Sequence, residues 1–297
     1  IALLACGSAY SKTAPPVVVL LSIDGFSYEY LKKHQPSNIL ALAKSGISAK
    51  LQPVYPSKTF PNHLSIITGS YPINHGISNN SFYNPKLGES YYKGAGKDNS
   101  AWLTADPFWT VAQQQGLKTA VYFWPEAEAK GKQPIYNIPY NETVSNKARL
   151  TQILKWLQLP SEQRPQFIAS YFSSVDGAGH YYGPNSIELS KAVEEIDFLM
   201  GEFISRLSKE ISYDVNVIIV SDHGMVEKDR TKVVKPSMIF DENILKLIKD
   251  KVITVARNDT QLYIYFTKPK SSQLKPLEVI SKITNNQSHS NLFRMFS

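Results

Sequence analysis

The stretch Val17-Val18-Val19-Leu20-Leu21-Ser22-Ile23-Asp24-Gly25 decides the fold. It is apolar except at Ser22 and rich in β-branched valine, the pattern of a strand buried on both faces, as in parallel sheets covered by helices. Asp24-Gly25 ends it in a turn. An acidic side chain at the carboxyl end of such a strand stands where open parallel sheets form their crevice.

The same unit recurs along the chain. The spacing predicts a helix from about Tyr28 to Ser45, closed by Gly46 in the left-handed conformation, and another over Phe108 to Gln115 stopped by Gly116. Lys118 to Phe123 reads as a strand ending at Trp124-Pro125. Phe167 to Phe172 reads as a strand followed by Asp176, and Val215 to Val220 as one followed by Asp222, with helical periodicity over Ser186 to Leu207 between them. Strands alternating with helices predict an α/β fold with a mainly parallel central sheet flanked by helices. Residues 77–106, rich in Gly, Asn and Tyr, and residues 126–148 read as irregular insertions on that scaffold. Val252 to Arg257 and Leu262 to Phe266 alternate as the two strands of an antiparallel hairpin.

The totals fit one large domain. The 297 residues are 42% hydrophobic and 19% charged, a globular composition. The net charge of +7 gives a mildly basic surface. Its lysines are scattered, and no arginine-rich tract or nucleic-acid motif accompanies them. The single cysteine, Cys6, excludes an intramolecular disulfide and a thiol-built zinc cluster.

Ile1-Ala2-Leu3-Leu4-Ala5-Cys6-Gly7 has the form of a secretory apolar run ending in a lipoprotein cleavage box. Residues 1–14 are therefore expected to be a signal-peptide remnant and linker, with Cys6 lipidated. The expected setting is secreted, periplasmic or cell envelope. No later apolar run approaches the roughly 20 residues of a membrane-spanning helix, so membrane contact would come through the Cys6 anchor.

Asp24, Asp176 and Asp222 lie at or just past the ends of predicted strands whose carboxyl ends converge. Histidines follow two of them closely, in Asp176-Gly177-Ala178-Gly179-His180 and Asp222-His223-Gly224. Carboxylate oxygen with neutral imidazole nitrogen is a ligand set that Zn²⁺ or Mn²⁺ accepts, and the glycines let the backbone turn both side chains toward one ion. The set reads as a site for two metals. Singly, each piece has a plain reading as a turn or a capped loop.

"LLSIDGF", "YPSKTFPNHLSIITGSYPINHGI", "VDGAGHYYGP" and "VSDHGM" together resemble the nucleotide pyrophosphatase/phosphodiesterase family of the alkaline phosphatase superfamily, and so does "ADPFWTVAQQQGLKTAVYFWPEAEA". The resemblance spans about residues 17–230, in order. It implies an alkaline-phosphatase-like fold, with residues 15–297 forming a phosphodiesterase domain that is truncated at its C-terminus. It implies two Zn²⁺ ions, one held by Asp24, Thr59, Asp222 and His223 and the other by Asp176 and His180. Thr59 would be the nucleophile, activated by its ion and forming a phosphothreonine. The plain alternative for Thr59 is an N-cap of a helix beginning near Pro61. Asn80 would donate its amide to a phosphoryl oxygen, and Phe60 and Tyr140 would sandwich a nucleobase. His63 and His75 match no ligand and read as structural or supporting groups, and His34 as a surface residue.

The family completes its second zinc site with a later histidine in a His-Gly context. This sequence offers only His289, in "NNQSHSNL", without the glycine, so the second site is expected to be incomplete. The expected activity is hydrolysis of phosphodiester or pyrophosphate bonds in nucleotides or related small diesters. The alternatives are a phosphomonoesterase, sulfatase or phosphonate hydrolase of the superfamily, a choline-phosphate or lipid diesterase, and a non-catalytic binding member. A threonine at the nucleophile position argues against a sulfatase, which builds formylglycine from Cys or Ser.

Overall fold

A computed structural model describes residues 16–229, 231, 233–258 and 260–267, with Glu278 and Ser281 beyond them. Cys6 with its leader, and His289, lie outside the described residues. Strand β1 (Val17–Ile23) is central. It pairs in parallel with β6 (Phe167–Phe172) on one side and β7 (Val215–Val220) on the other. Beyond β6 come β4 (Thr119–Tyr122) and β5 (Tyr136–Ile138), giving a five-stranded, all-parallel sheet of order β5-β4-β6-β1-β7.

The alternation of side chains along β1 explains why its run is apolar throughout. Val17, Val19, Leu21 and Ile23 face a core built with Ile153 of α6 (Asn146–Leu157) and Ile196, Met200 and Phe203 of α8 (Ile187–Glu210). Leu20 faces the opposite core, with Leu64 and Ile67 of α3 (Thr59–Thr68) and Trp109 of α5 (Phe108–Gln114). Each such side chain contributes about 1.5–3 kcal/mol when fully buried, so both faces hold the strand in place. That is the helix-covered α/β architecture expected from the sequence.

The predicted helix from Tyr28 to Ser45 is two helices, α1 (Glu29–His34) and α2 (Ser37–Ser45). Pro36 cannot continue a helix, and Gln35 before it takes φ 50°. Pro36 has no capping side chain, so Asp197 of α8 accepts the N–H groups of Asn38 (3.2 Å) and Ile39 (2.8 Å) instead. Gly46 is not left-handed but lies at φ −127°. His34 is half-buried rather than at the surface, its ring edge-on to Tyr30 at 5.2 Å.

The insertions are more regular than their composition suggests. After the short helix α4 (Pro72–His75), residues 77–106 form a hairpin of β2 (Phe82–Asn84) and β3 (Glu89–Tyr91) and two 3₁₀ turns at Ala95–Lys97 and Ser100–Trp102. Buried Glu126 pins them, accepting the N–H groups of Gly94 and Gly96 at 3.0 Å each and the hydroxyl of Tyr91. Residues 126–148 contribute the sheet strand β5. Helix α7 (Ser174–Tyr182) follows β6. After β7 come α9 (Pro236–Ile239), α10 (Glu242–Lys249) and the expected antiparallel hairpin of β8 (Ile253–Asn258) and β9 (Gln261–Phe266). Phe240, Ile244 and Ile253 give this last unit a small core of its own. Among the described residues no helix is long and apolar enough to cross a membrane.

Candidate active site

The adjacent strands β6, β1 and β7 deliver three aspartates to one place. Asp24 follows β1 directly, Asp222 follows β7, and Asp176 sits in the first turn of α7 after β6. Asp24, Asp222 and His223 offer ligand atoms that all lie within 4.8 Å of one another. His223 Nε2 is 3.4 Å from Asp24 Oδ1, 3.2 Å from Asp222 Oδ2 and 3.3 Å from Thr59 Oγ1. Asp176 and His180 approach to 3.4 Å. Glycines do not achieve that pairing by turning a loop, as the sequence suggested. The two residues are one turn apart on a helix, where positions i and i+4 share a face.

Gly25 lets the two halves of the site meet. It has φ +68°, and a Cβ there would lie 3.1 Å from the Cα, Cβ and Oδ1 of Asp176. Its N–H donates to Asp222 Oδ1 at 3.2 Å, so one small residue touches both later aspartates.

The electrostatics favour a cation. Burial, then Asp222 and Asp176, push the Asp24 carboxyl well above its ordinary pKa, and burial also raises Asp176. Burial acts on Asp222 in the same direction, but His63 and His223 outweigh it and hold that carboxyl below its usual value. Asp24 Oδ1, Asp176 Oδ1 and Asp222 Oδ2 are buried and receive no hydrogen bond among the described residues, although imidazole nitrogens stand close by. Buried carboxylate oxygens without donors, clustered with an imidazole, fit a divalent metal by donor chemistry and by charge.

The tautomer of His223 agrees. Its Nδ1 lies 2.9 Å from the carbonyl oxygen of Gly224, which can only accept, so the proton is on Nδ1 and the Nε2 lone pair faces the aspartates and Thr59.

Thr59 is the first residue of α3, not its N-cap. Lys58 holds the cap position, so the capping alternative for Thr59 falls away. The second amide of that helix is taken, because Phe60 N–H donates to Asn80 Oδ1 at 2.9 Å, and Pro61 has none. Asn80 therefore stands beside Thr59 with its Nδ2 free of protein partners among the described residues. Phe60 packs edge-on to Tyr91 at 6.2 Å, with the Lys93 ammonium 5.8 Å from its ring. Tyr140, 56% exposed, lies against Phe123 (5.2 Å) and Tyr171 (6.2 Å). The two rings thus pack against separate neighbours.

Sequence reasoning missed Tyr171, and it read His63 as a structural or supporting group, the part it plays here. Tyr171 donates its hydroxyl to Asp24 Oδ2 at 2.6 Å. His63 is fully buried, its Nδ1 2.9 Å from the carbonyl of Thr59 and 3.3 Å from Asp222 Oδ2, while Ser22 Oγ meets its Nε2 at 2.9 Å. One imidazole thus ties the threonine's backbone to a candidate ligand. His75, also buried, meets the carbonyl of Pro61 at 3.2 Å and accepts the N–H of Ile77 at 3.2 Å.

The sequence signature of type I phosphodiesterases/nucleotide pyrophosphatases matches residues 18–294. The chain belongs to that family. Member 1 of the human (Homo sapiens) ectonucleotide pyrophosphatase/phosphodiesterases is 42% identical over 220 residues, 71% of this chain and 24% of its own length. A Schizosaccharomyces pombe protein described as an uncharacterised pyrophosphatase/phosphodiesterase is 37% identical over 231 residues, 75% of this chain and 48% of its own. Among solved structures, murine ectonucleotide pyrophosphatase/phosphodiesterase 5, in an inactive threonine-to-alanine form in complex with AMP, superposes with a TM-score of 0.78 at 25% identity, covering 93% of this chain and 70% of that one. The chain thus spans about a quarter to a half of the length of these two curated relatives. The parallel sheet and helix layers are those of the alkaline phosphatase superfamily, as the motifs implied.

Proposed function

We propose that this phosphodiesterase-family chain hydrolyses phosphodiester or pyrophosphate bonds in nucleotides or related small diesters, with two Zn²⁺ ions and a phosphothreonine formed at Thr59. The observation that carries the proposal is Thr59 Oγ1 lying 3.3 Å from the free face of His223, beside Asp24 and Asp222. Asp24, Thr59, Asp222 and His223 would hold one ion, and Asp176 and His180 the other. Bound zinc supplies positive charge that lowers the pKa of a neighbouring hydroxyl and offsets charge on phosphoryl oxygens.

The chain's own groups supply the rest. Thr59 Oγ1 attacks phosphorus, and the oxygen on the far side leaves with its ester or anhydride group. Water then attacks the phosphothreonine and regenerates the hydroxyl, releasing the monoester. Asn80 donates Nδ2–H to a phosphoryl oxygen, because the start of α3 has no amide left for that task at Phe60 or Pro61. His63 fixes Thr59 and Asp222 relative to each other through its Nδ1. Phe60 and Tyr140 offer aromatic faces to a base, in keeping with the AMP bound by the murine neighbour.

The test is Thr59→Ala with a chromogenic nucleoside 5′-monophosphate ester. Turnover should fall at least roughly 10³-fold while zinc content stays measurable. Full turnover in the variant would sink the proposal. Faster hydrolysis of the matching monoester than of the diester would point instead to a phosphomonoesterase. We place the protein outside the cytoplasm, with Cys6 as lipid anchor, on the apolar Ile1–Ala5 run before that cysteine. Fatty-acid labelling that persists in Cys6→Ser would refute the anchor.

A further inference from the structure

The turn that carries Asn80 is braced from both sides by a hairpin far along the chain. Before Asn80, Asn79 is fully buried. Its Oδ1 accepts the N–H of Asn80 at 2.8 Å, and its Nδ2 donates to Gln261 Oε1 at 3.0 Å and to the Tyr263 hydroxyl at 3.2 Å. After Asn80, Asn258 accepts the N–H of Ser81 at 3.2 Å and donates its Nδ2 to the carbonyl of Ser81 at 2.6 Å. Asn258, Gln261 and Tyr263 all belong to β8 and β9, and Tyr83, its ring tilted against that of Tyr265 at 5.8 Å, adds an apolar contact nearby.

We infer that Asn258 and Asn79 are positioning residues for the phosphoryl-oxygen donor. The argument is geometric. Asn80 has a short polar side chain on an irregular turn, and such a turn does not hold an amide to the tolerance that transition-state donors require. Its Oδ1 is fixed by Phe60 N–H, next in sequence to Thr59, which occupies the oxygen and leaves Nδ2 as the group to donate. That setting holds only while the backbone of residues 79–81 stays put, and the side-chain amides of Asn79 and Asn258 fasten it to a pair of strands. The brace has its own small core in Phe240, Ile244 and Ile253, so it is a unit packed against the site rather than an extension of the sheet. Side-chain amides suit the task, because Asn258 donates and accepts on one residue's backbone, which an ionised carboxylate, unable to donate, would not match.

This inference rests on the role proposed for Asn80, and the experiment separates the two. Steady-state constants are measured with a chromogenic nucleoside monophosphate diester for Asn80→Ala, Asn258→Ala and the double variant, with urea unfolding alongside. Asn80→Ala should lower kcat by roughly 10²-fold, the usual cost of one such donor. Asn258→Ala should lower kcat by roughly 10-fold with KM little changed, and the double variant should be no slower than Asn80→Ala alone, because both act through one amide. Tyr263→Phe removes only a hydroxyl, leaves the strand pairing intact, and should show the same non-additive pattern with a fall of about 3-fold. It keeps the test alive if Asn258→Ala does not fold. Losses that multiply with that of Asn80→Ala overturn the inference while leaving Asn80's role standing. Full activity in Asn80→Ala overturns both.

Discussion

The hydroxyl of Tyr171 and the carboxylate of Asp24, 147 residues apart in sequence, meet in a 2.6 Å hydrogen bond under the candidate metal cluster. That bond takes Asp24 Oδ2 and leaves Oδ1 without a donor, turned to His223. Tyr171→Phe should therefore loosen the carboxylate and lower zinc affinity by about 10–100-fold, with little change in fold. Competition against a chromophoric chelator measures it. Wild-type affinity in the variant would show that Tyr171 does not hold the ligand.

Gly25→Ala should harm the protein in two separable ways. The left-handed backbone costs about 1–2 kcal/mol for any side chain, and the new Cβ would press on Asp176 at 3.1 Å. Gly131→Ala is the control, since Gly131 has φ +77° and open space around it. Urea unfolding should show both variants destabilised, and only Gly25→Ala should lose most of its turnover. Equal turnover in the two would mean that the approach of Asp176 to Gly25 is unimportant.

His75 makes the fold sensitive to acid. Burial pushes its pKa down to about 4, whereas the unfolded chain titrates near 6.5. Between those values the unfolded chain takes up a proton that the native one refuses. The contribution of neutral His75 is thus complete above about pH 6.5 and is lost as pH falls toward 4, by about 3 kcal/mol in total. His75→Gln should be less stable at pH 7, and its deficit against wild type should shrink at pH 4.5. A deficit that does not change with pH would refute the assignment.

Without metal, the aspartates oppose one another. Asp24→Asn removes a carboxyl whose ionisation burial and the neighbouring Asp222 and Asp176 oppose, so in excess chelator it should raise stability by about 1–2 kcal/mol. The same variant should abolish the rise in thermal midpoint that zinc gives the wild-type chain. Thermal melts with chelator and with zinc test both halves. A less stable Asn variant in chelator would mean that Asp24 contributes to the fold on its own.

Much of the scaffold was legible because one physical signal dominated it. β1 and β6 are covered on both faces, so their sequences are apolar but for Ser22 in one and Ser170 and Tyr171 in the other, too few to obscure the reading. β5 escaped notice, since three residues, Tyr-Asn-Ile, in a polar stretch have no period to read. α7 was mistaken for a turn because it contains Gly177 and Gly179, poor helix formers. Packing explains it: a Cβ on Gly179 would lie 2.3 Å from Met225 Sδ, so the glycine is there to let the helix lie close to the segment after β7. The candidate ligands were legible as Asp-His pairs at strand ends. The part played by Tyr171 and the contacts of His63 were not, because each depends on a partner whose distance only the folded chain sets.

The strand order has an evolutionary corollary. Every candidate ligand except Thr59 hangs from three neighbouring strands, whereas the hairpin segment with Lys93 and the Asn80 turn are held by side-chain bonds to outlying segments. Lineages can therefore lengthen, trim or swap those pieces, and so change what the cleft admits, while the distances among the aspartates stay locked to the repeat of the sheet beneath them.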